Sequence, residues 1–288
     1  MGIFKAIGIG IATTFRKSRL LVILWVVNIV YAAVVVSPLA FLAQKELGHS
    51  FLGSNVRPFD LQWLGEAVLK YQETLPAIGG GLLLAAFLFL ALYVFLNGGI
   101  IGRLVDKEGR AALGVFFADC GRYFGRFVRL FLLSLVFFVL TFGVVLRLLS
   151  ALISSLIENA RTEWTSVILS NLHFLVALLL LSVVHMVFDY ARIAVVADEE
   201  AKVLKSLSHA LKFLKKRFFR SWAMYLLIVA AFLAGTAVFY AVHGLLAGPT
   251  VPFVLLGFLW MQVYVIFRIW TKTLFFAAQA EFYRAHPY

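Results

Sequence analysis

"VILSNLHFLVALLLLSVVHMVF" fills Val167 to Phe188, 22 residues without an Asp, Glu, Lys or Arg. A hydrocarbon layer about 30 Å thick is crossed by about 20 helical residues. Inside that layer every backbone N–H and C=O must find its partner within the segment, which selects a helix over a strand. The stretch therefore reads as a membrane-crossing helix. Five other uncharged runs meet or approach the same length: Leu20–Ala43, Ala77–Leu96, Phe127–Leu146, Trp222–Leu246 and the shorter Phe253–Phe267. The expected fold is an all-α integral membrane protein with six spanning helices.

Composition agrees. Of 288 residues, 63% are hydrophobic and 14% charged, against about half and a quarter in soluble domains. A single cysteine, Cys120, excludes an internal disulfide framework. The net charge of +12 is not read as a nucleic-acid signal, because 21 of the 26 Lys and Arg residues fall in the terminal segments and connections of one side. Lysine and arginine stay on the cytoplasmic face, so both termini are expected there, in the plasma (inner) membrane of a prokaryote. The first span is too long for a cleaved signal and lacks a small-x-small site, so an uncleaved start is expected.

Immediately after the opening stretch comes "DYARIAVVADEE", Asp189 to Glu200, and then "AKVLKSLSHALKFLKKRF". Asp198 is expected to cap a helix, with Glu199 and Glu200 in its first turn. Leu204, Leu207, Leu211, Leu214 and Phe218 recur at spacings of three and four, forming one apolar stripe. Lys202, Lys205, Lys212, Lys215, Lys216 and Arg217 occupy the remaining faces. The same register holds Leu113, Phe116, Cys120, Tyr123 and Phe127, with Arg122 and Arg126 beside them. More weakly it holds Phe4, Ile7, Ile11, Thr14 and Ser18, with Arg16 and Lys17. Each copy feeds an odd-numbered span. The even-numbered spans pair Asn97 with Asp189, and place Arg268 opposite Asp189 in the third copy. The expected plan is one transmembrane domain of three units, approximately 1–103, 104–197 and 198–288. Each unit is a basic amphipathic cytoplasmic helix followed by a two-helix hairpin; one reading is a pseudo-threefold bundle, the other an accidental likeness of juxtamembrane segments that share composition.

The motifs "DYARI" (Asp189–Ile193), "LSHALKFLKKRF" (Leu207–Phe218) and "GGIIGRLVDKEGR" (Gly98–Arg110) resemble a group of bacterial six-helix membrane proteins. The likeness is to the membrane domain attached to some glycerophosphodiester phosphodiesterases. It extends over most of the chain, through short and degenerate motifs. The resemblance implies six-span topology; the sequence contains no soluble phosphodiesterase domain to carry that activity.

Several polar residues fall within or beside the spans. Asp189, near a helix C-terminus, faces the unfavourable pole of the dipole and needs a cation, with Arg192 three residues along and Arg268 as the repeat-equivalent partner. One reading is an ion pair pinning two spans, the other a proton- or ion-coupling carboxylate. His185 shares a face with Asp189, yet no third metal ligand has suitable spacing, so no metal and no cofactor are expected. Asn28, Asn97 and Gln262 read as interhelical hydrogen-bonders. Ala230, Ala234, Ala237, Ala241 and Gly244 form a small-residue seam expected to pack closely. Gly98 and Gly102 fit a small-x-x-x-small packing pattern, whereas "GGG" at Gly79–Gly81 and "NGG" at Asn97–Gly99 could instead loosen both ends of the second span, giving a broken helix that lines a site. Between the first two spans, the extracytoplasmic segment 44–76 contains "FDLQWLGEAVLKY", expected as a short surface helix capped by Asp60.

No phosphate-binding glycine loop, HExxH, G-x-S-x-G or paired-Cys motif is present, so no catalytic residues are assigned. Three functions remain in view. The first is a non-enzymatic scaffold or complex subunit that organises anionic inner-leaflet lipid, or a cytoplasmic or membrane protein partner, through its basic helices. The second is a permease or transporter component for a lipid-like or small amphipathic solute. The third, resting on the resemblance, is the membrane domain of a lipid-metabolism enzyme.

Overall fold

The computed structural model describes residues 1–47, 75–106, 112–158, 162–199, 202–246, 248 and 250–286. Among these, 94% are helical and none forms a strand. In chain order the helices are α1 (Ile3–Arg16), α2 (Ser18–Leu47), α3 (Leu75–Val105), α4 (Leu113–Leu140), a π-helical turn (Thr141–Val145), α5 (Leu146–Glu158), α6 (Glu163–Ala197), α7 (Val203–Leu245) and α8 (Val251–Arg284). Six stretches are long and apolar enough to cross a membrane: one in α2, one in α3, one running from α4 into α5, and those of α6, α7 and α8. At most 11% of any span's apolar window is buried within the protein. So much outward-facing apolar surface is tolerated only where the surrounding solvent is lipid. The chain is a multi-pass helical membrane protein.

The helices outrun the apolar windows seen in the sequence. Hydropathy registers only the part immersed in oil, whereas the helical hydrogen-bond ladder continues into polar surroundings wherever no breaker intervenes. Thus α7 has 43 residues, about 65 Å at 1.5 Å per residue. It is interrupted once, at Arg217, whose φ of −137° and ψ of 23° leave the helical region. A similar break at Lys17 separates α1 from α2. By contrast, α4 runs through from its basic start into its apolar part.

Val22–Tyr93 forms one compact unit. Within it the Tyr31 hydroxyl donates to the Ala85 carbonyl, and the Tyr31 and Phe89 rings lie 5.0 Å apart. A hydroxyl in hydrocarbon must find an acceptor, and here α3 supplies one. Asn28 donates to Leu24 of its own helix, where an interhelical bond was expected. α3 is continuous through Gly79–Gly81 and Asn97–Gly99, so neither glycine run breaks it; intrahelical bonding survives where no Pro or inserted side chain competes for it. The surface helix expected around Asp60 and Trp63 lies outside the described residues.

Met1–Leu21 and Val94–Tyr288 form the other unit. Here α1 lies along α8, the start of α4 along the end of α3, and α7 along α6. Small residues mark the contacts. A Cβ on Gly10 would come 3.0 Å from the Ala278 backbone nitrogen. One on Gly99 would come 2.5 Å from Cys120 Sγ, and one on Gly102 would come 2.8 Å from Asp119 Oδ2.

This packing corrects two readings. On α1 the buried residues are Ala6, Gly10, Thr13 and Thr14, whereas Phe4 from the expected apolar stripe is 79% exposed. On the membrane-crossing part of α7, Ala230, Ala234, Ala237, Ala241 and Gly244 face outward. The inward side there carries Met224, Ile228, Phe239 and Gly235, the last packed on the Phe267 ring. In lipid a large apolar side chain gains little by burial, because the tails are as apolar as the protein interior. Close backbone approach then decides which face packs.

Candidate functional site

Three charged clusters gather at the polar end of this unit. The first centres on Asp189. Its Oδ1 accepts from Arg192 Nη1 at 2.7 Å, with the two side chains only 5% and 11% exposed. His185 Nε2 lies 3.8 Å from Oδ2. From α8, Lys272 interacts electrostatically with both Asp189 and Arg192. Arg268, the expected partner from that helix, is exposed. Lys272 stands one turn further along the same face, and only the rotation and depth of α8 could select between them. α6 continues to Ala197, and the dipole effect fades within the last turn, so burial is what makes Asp189 depend on cations.

The second cluster closes the end of α3. Lys17, 5% exposed, donates through Nζ to the carbonyls of Arg103 and Asp106, and Arg284 donates to Val105. These are the carbonyls a helix end leaves unpaired, and two cations at its negative pole suit them. Arg103 grips Asp119 of α4 through Nε at 2.7 Å and Nη2 at 2.5 Å, and reaches Asp106 at 3.1 Å. Burial lowers the Lys17 ammonium pKa, and Asp106 opposes that shift. Lys17, expected on the lipid- or partner-facing surface, is therefore an internal cap. Its methylenes and charge turn inward because the three nearby carbonyls lack helical donors.

Lys17→Met is expected to cost roughly 1–3 kcal/mol by orphaning those carbonyls. Lys5→Met, on the exposed side, should stay within about 0.5 kcal/mol. Thermal unfolding in one detergent measures both, and equal midpoints would refute the cap.

The third cluster surrounds Asp198. It does not cap the following helix: α7 starts at Val203, after Lys202, with no side-chain cap. Asp198 ends α6, its N–H still bonded to Ala194, because nothing in "AVVAD" halts the ladder. Glu199 then takes the left-handed φ of 50° that closes many helices. The freed carboxylate accepts from Tyr283 Oη at 2.9 Å and sits 3.0 Å from His209 Nδ1, joining α6, α7 and α8.

Outside these clusters lie the basic faces. Lys202, Lys205, Lys212, Lys215 and Lys216 are exposed, and Arg217 is half-buried at the break. Between them Leu204 is 71% and Phe219 78% exposed, with Leu211 also outward. Of the expected stripe, Leu207 and Leu214 pack inward. On α4, Phe116, Cys120, Tyr123 and Phe127 are buried and Leu113 is exposed. Arg122 and Arg126 flank the Tyr123 ring at 5.5 and 5.9 Å. The exposed Arg122–Glu199 pair at 3.3 Å contributes little. On α1, Arg16 shares the outward side with Phe4, Lys5 and Phe15.

Sequence reasoning did not single out Lys272, Arg103, Asp119 or Arg284. One signal was present for Asp119, the lone acid in "GVFFADCGRYFGR". Asn97 is buried, and its Oδ1 has no hydrogen bond among the described residues. No group of three metal-ligating side chains occurs among the described residues. No family model, no curated protein and no solved structure matches the chain.

Proposed function

We propose that this is a non-enzymatic integral membrane protein that organises anionic lipid, or a partner complex, at the cytoplasmic leaflet. The observation that carries the reading is the composition of the outward faces of α1, the start of α4 and the start of α7. Each presents large apolar side chains beside lysine or arginine: Phe4 and Phe15 with Lys5 and Arg16, Phe117 and Val115 with Arg122, Leu204 and Leu211 with Lys205, Lys212 and Lys215. A solvated face gains nothing from exposed Phe and Leu. A face lying in the headgroup layer buries them in the acyl boundary while its cations meet lipid phosphates, each worth about 1 kcal/mol near an anionic surface. Basic residues on that side also agree with a cytoplasmic orientation.

The reading includes a threefold repeat of surface helix plus hairpin. In support, each surface helix docks on an even-numbered span: α4 on α3, α7 on α6, and α1 on α8. The breaks at Lys17 and Arg217 fall at positions that the alignment of copies pairs. Pairing Lys272 with Asp189 moves the third copy by one turn, and the same offset pairs Glu281 with Asp198. Continuity of α3 withdraws the broken helix that had favoured transport.

The test is charge reversal at Lys212, Lys215 and Lys216, with the protein floated on vesicles containing phosphatidylglycerol or only phosphatidylcholine while probing the accessibility of α7's start to aqueous quencher. Wild type should show quencher protection that grows with anionic lipid, and the variant should lose it. Equal protection in both vesicle types would overturn the reading.

A further inference from the structure

The break in α7 carries cations that no carboxylate pairs among the described residues. Arg217 leaves helical geometry where α7 passes from its surface segment to its membrane-crossing segment. Arg220 follows within one turn and is exposed, as is Phe219 between them. His286, just beyond α8, reaches this place through a run of ring contacts. Phe213, one turn before Arg217, meets Phe282 edge-on at 5.9 Å, and Phe282 lies 4.8 Å from the His286 ring. His286 Nδ1 lies 3.1 Å from the Phe282 carbonyl oxygen, which directs Nε2 away from α8 and to within 2.8 Å of the Met1 ammonium. Burial, then Arg217, the Met1 ammonium and Arg220, lower the His286 pKa, against the Phe282 carbonyl, which raises it. Elsewhere in this unit the inward-facing cations are matched: Arg103 by Asp119, Arg192 by Asp189, and Lys17 by carbonyl oxygens.

We propose that Arg217 and Arg220, backed by His286, bind one lipid phosphate of the cytoplasmic leaflet, with Phe219 against its acyl chains. The chemistry is that of a phosphate ester: two guanidinium groups present paired N–H donors that match phosphate oxygens. Depth selects a lipid over a soluble ester, because a break between a surface helix and a span stands at the level of the headgroups. The exposed Phe219 has its natural solvent only there. This site deepens the proposed leaflet-binding role and rests on it. It differs in being a discrete site for one molecule where the lysine faces are a diffuse collar.

The full chain, purified in mild detergent, is titrated with phosphatidylglycerol and with phosphatidylcholine, and bound lipids are counted by native mass spectrometry. Wild type should retain one phosphatidylglycerol through activation that strips phosphatidylcholine. Arg217→Gln with Arg220→Gln should weaken that adduct at least about tenfold, and Arg220→Gln alone, at an exposed position, should weaken it in part. Lys212→Gln with Lys215→Gln should leave the single adduct intact while reducing the response to anionic vesicles. That separates the two ideas: loss of vesicle response with the adduct retained leaves the site standing. Equal adducts in wild type and the double arginine variant would overturn the site, as would phosphatidylcholine retained as firmly as phosphatidylglycerol. Displacement of the adduct by millimolar inorganic phosphate or glycerol 3-phosphate would overturn the lipid assignment in favour of a soluble phosphate.

Discussion

Asp189→Leu is expected to lose about 3–5 kcal/mol of stability, the cost of stranding a buried cation. Arg192 is 11% exposed and loses its 2.7 Å partner, while Lys272 continues to repel it across the α6–α8 contact. Total stabilities are themselves only about 5–15 kcal/mol, so the single variant should express poorly or unfold many degrees earlier. Asp189→Leu combined with Arg192→Leu should recover part of the loss, since it also removes the guanidinium that the single variant strands. Thermal unfolding in a fixed detergent compares the variants. A single variant as stable as wild type would show that the pair carries no structural weight. A double variant no better than the single would show that packing, not charge, was lost.

Gly99→Leu should be nearly as damaging. Even a Cβ at that position would come within 2.5 Å of Cys120 Sγ and 2.7 Å of Phe116 Cε2, and both of those side chains are fully buried. Overpacking of a filled site costs about 1–3 kcal/mol and sometimes more. A whole isobutyl group must also separate α3 from α4, which would pull Arg103 from Asp119. Gly125→Leu on α4 is the control, because nothing lies within 4 Å of a Cβ there and leucine is the better helix former by several tenths of a kcal/mol. Gly99→Ala should be rescued in part by Cys120→Ala, which deletes the nearest atom. Unfolding midpoints for the four proteins decide the matter, and a neutral Gly99→Leu would mean that the two helices do not approach as described.

The span count was legible because hydrocarbon enforces it locally: uncharged runs such as Val167–Phe188 have one solution in oil. Helix ends were less so. α6 outran its apolar window to Ala197, which left Asp198 closing one helix where the sequence suggested opening the next. Hydrogen bonding carries a helix onward without regard to polarity, and Asp is compatible with either end. The inward faces were misjudged for the reason given by Phe4 and Gly10. Apolar periodicity identifies a core in water; in lipid it is shared by the packed and the lipid-exposed sides.

Among charges, the sequence by itself determined that Asp189 required a cation and that Arg192 was within reach, since three residues along a helix is a fixed distance. It also determined which connections are basic. Only the tertiary structure decided that Lys272 joins Asp189 while Arg268 stays outside, that Lys17 turns inward to close α3, and that Phe213 and Phe282 link His286 to the turn before Arg217. Those outcomes depend on the rotation and depth of one helix against another. Side-chain volumes at a few crossings, Gly10 on Ala278 and Gly99 on Cys120, set both, and no local pattern in the chain encodes which crossings form.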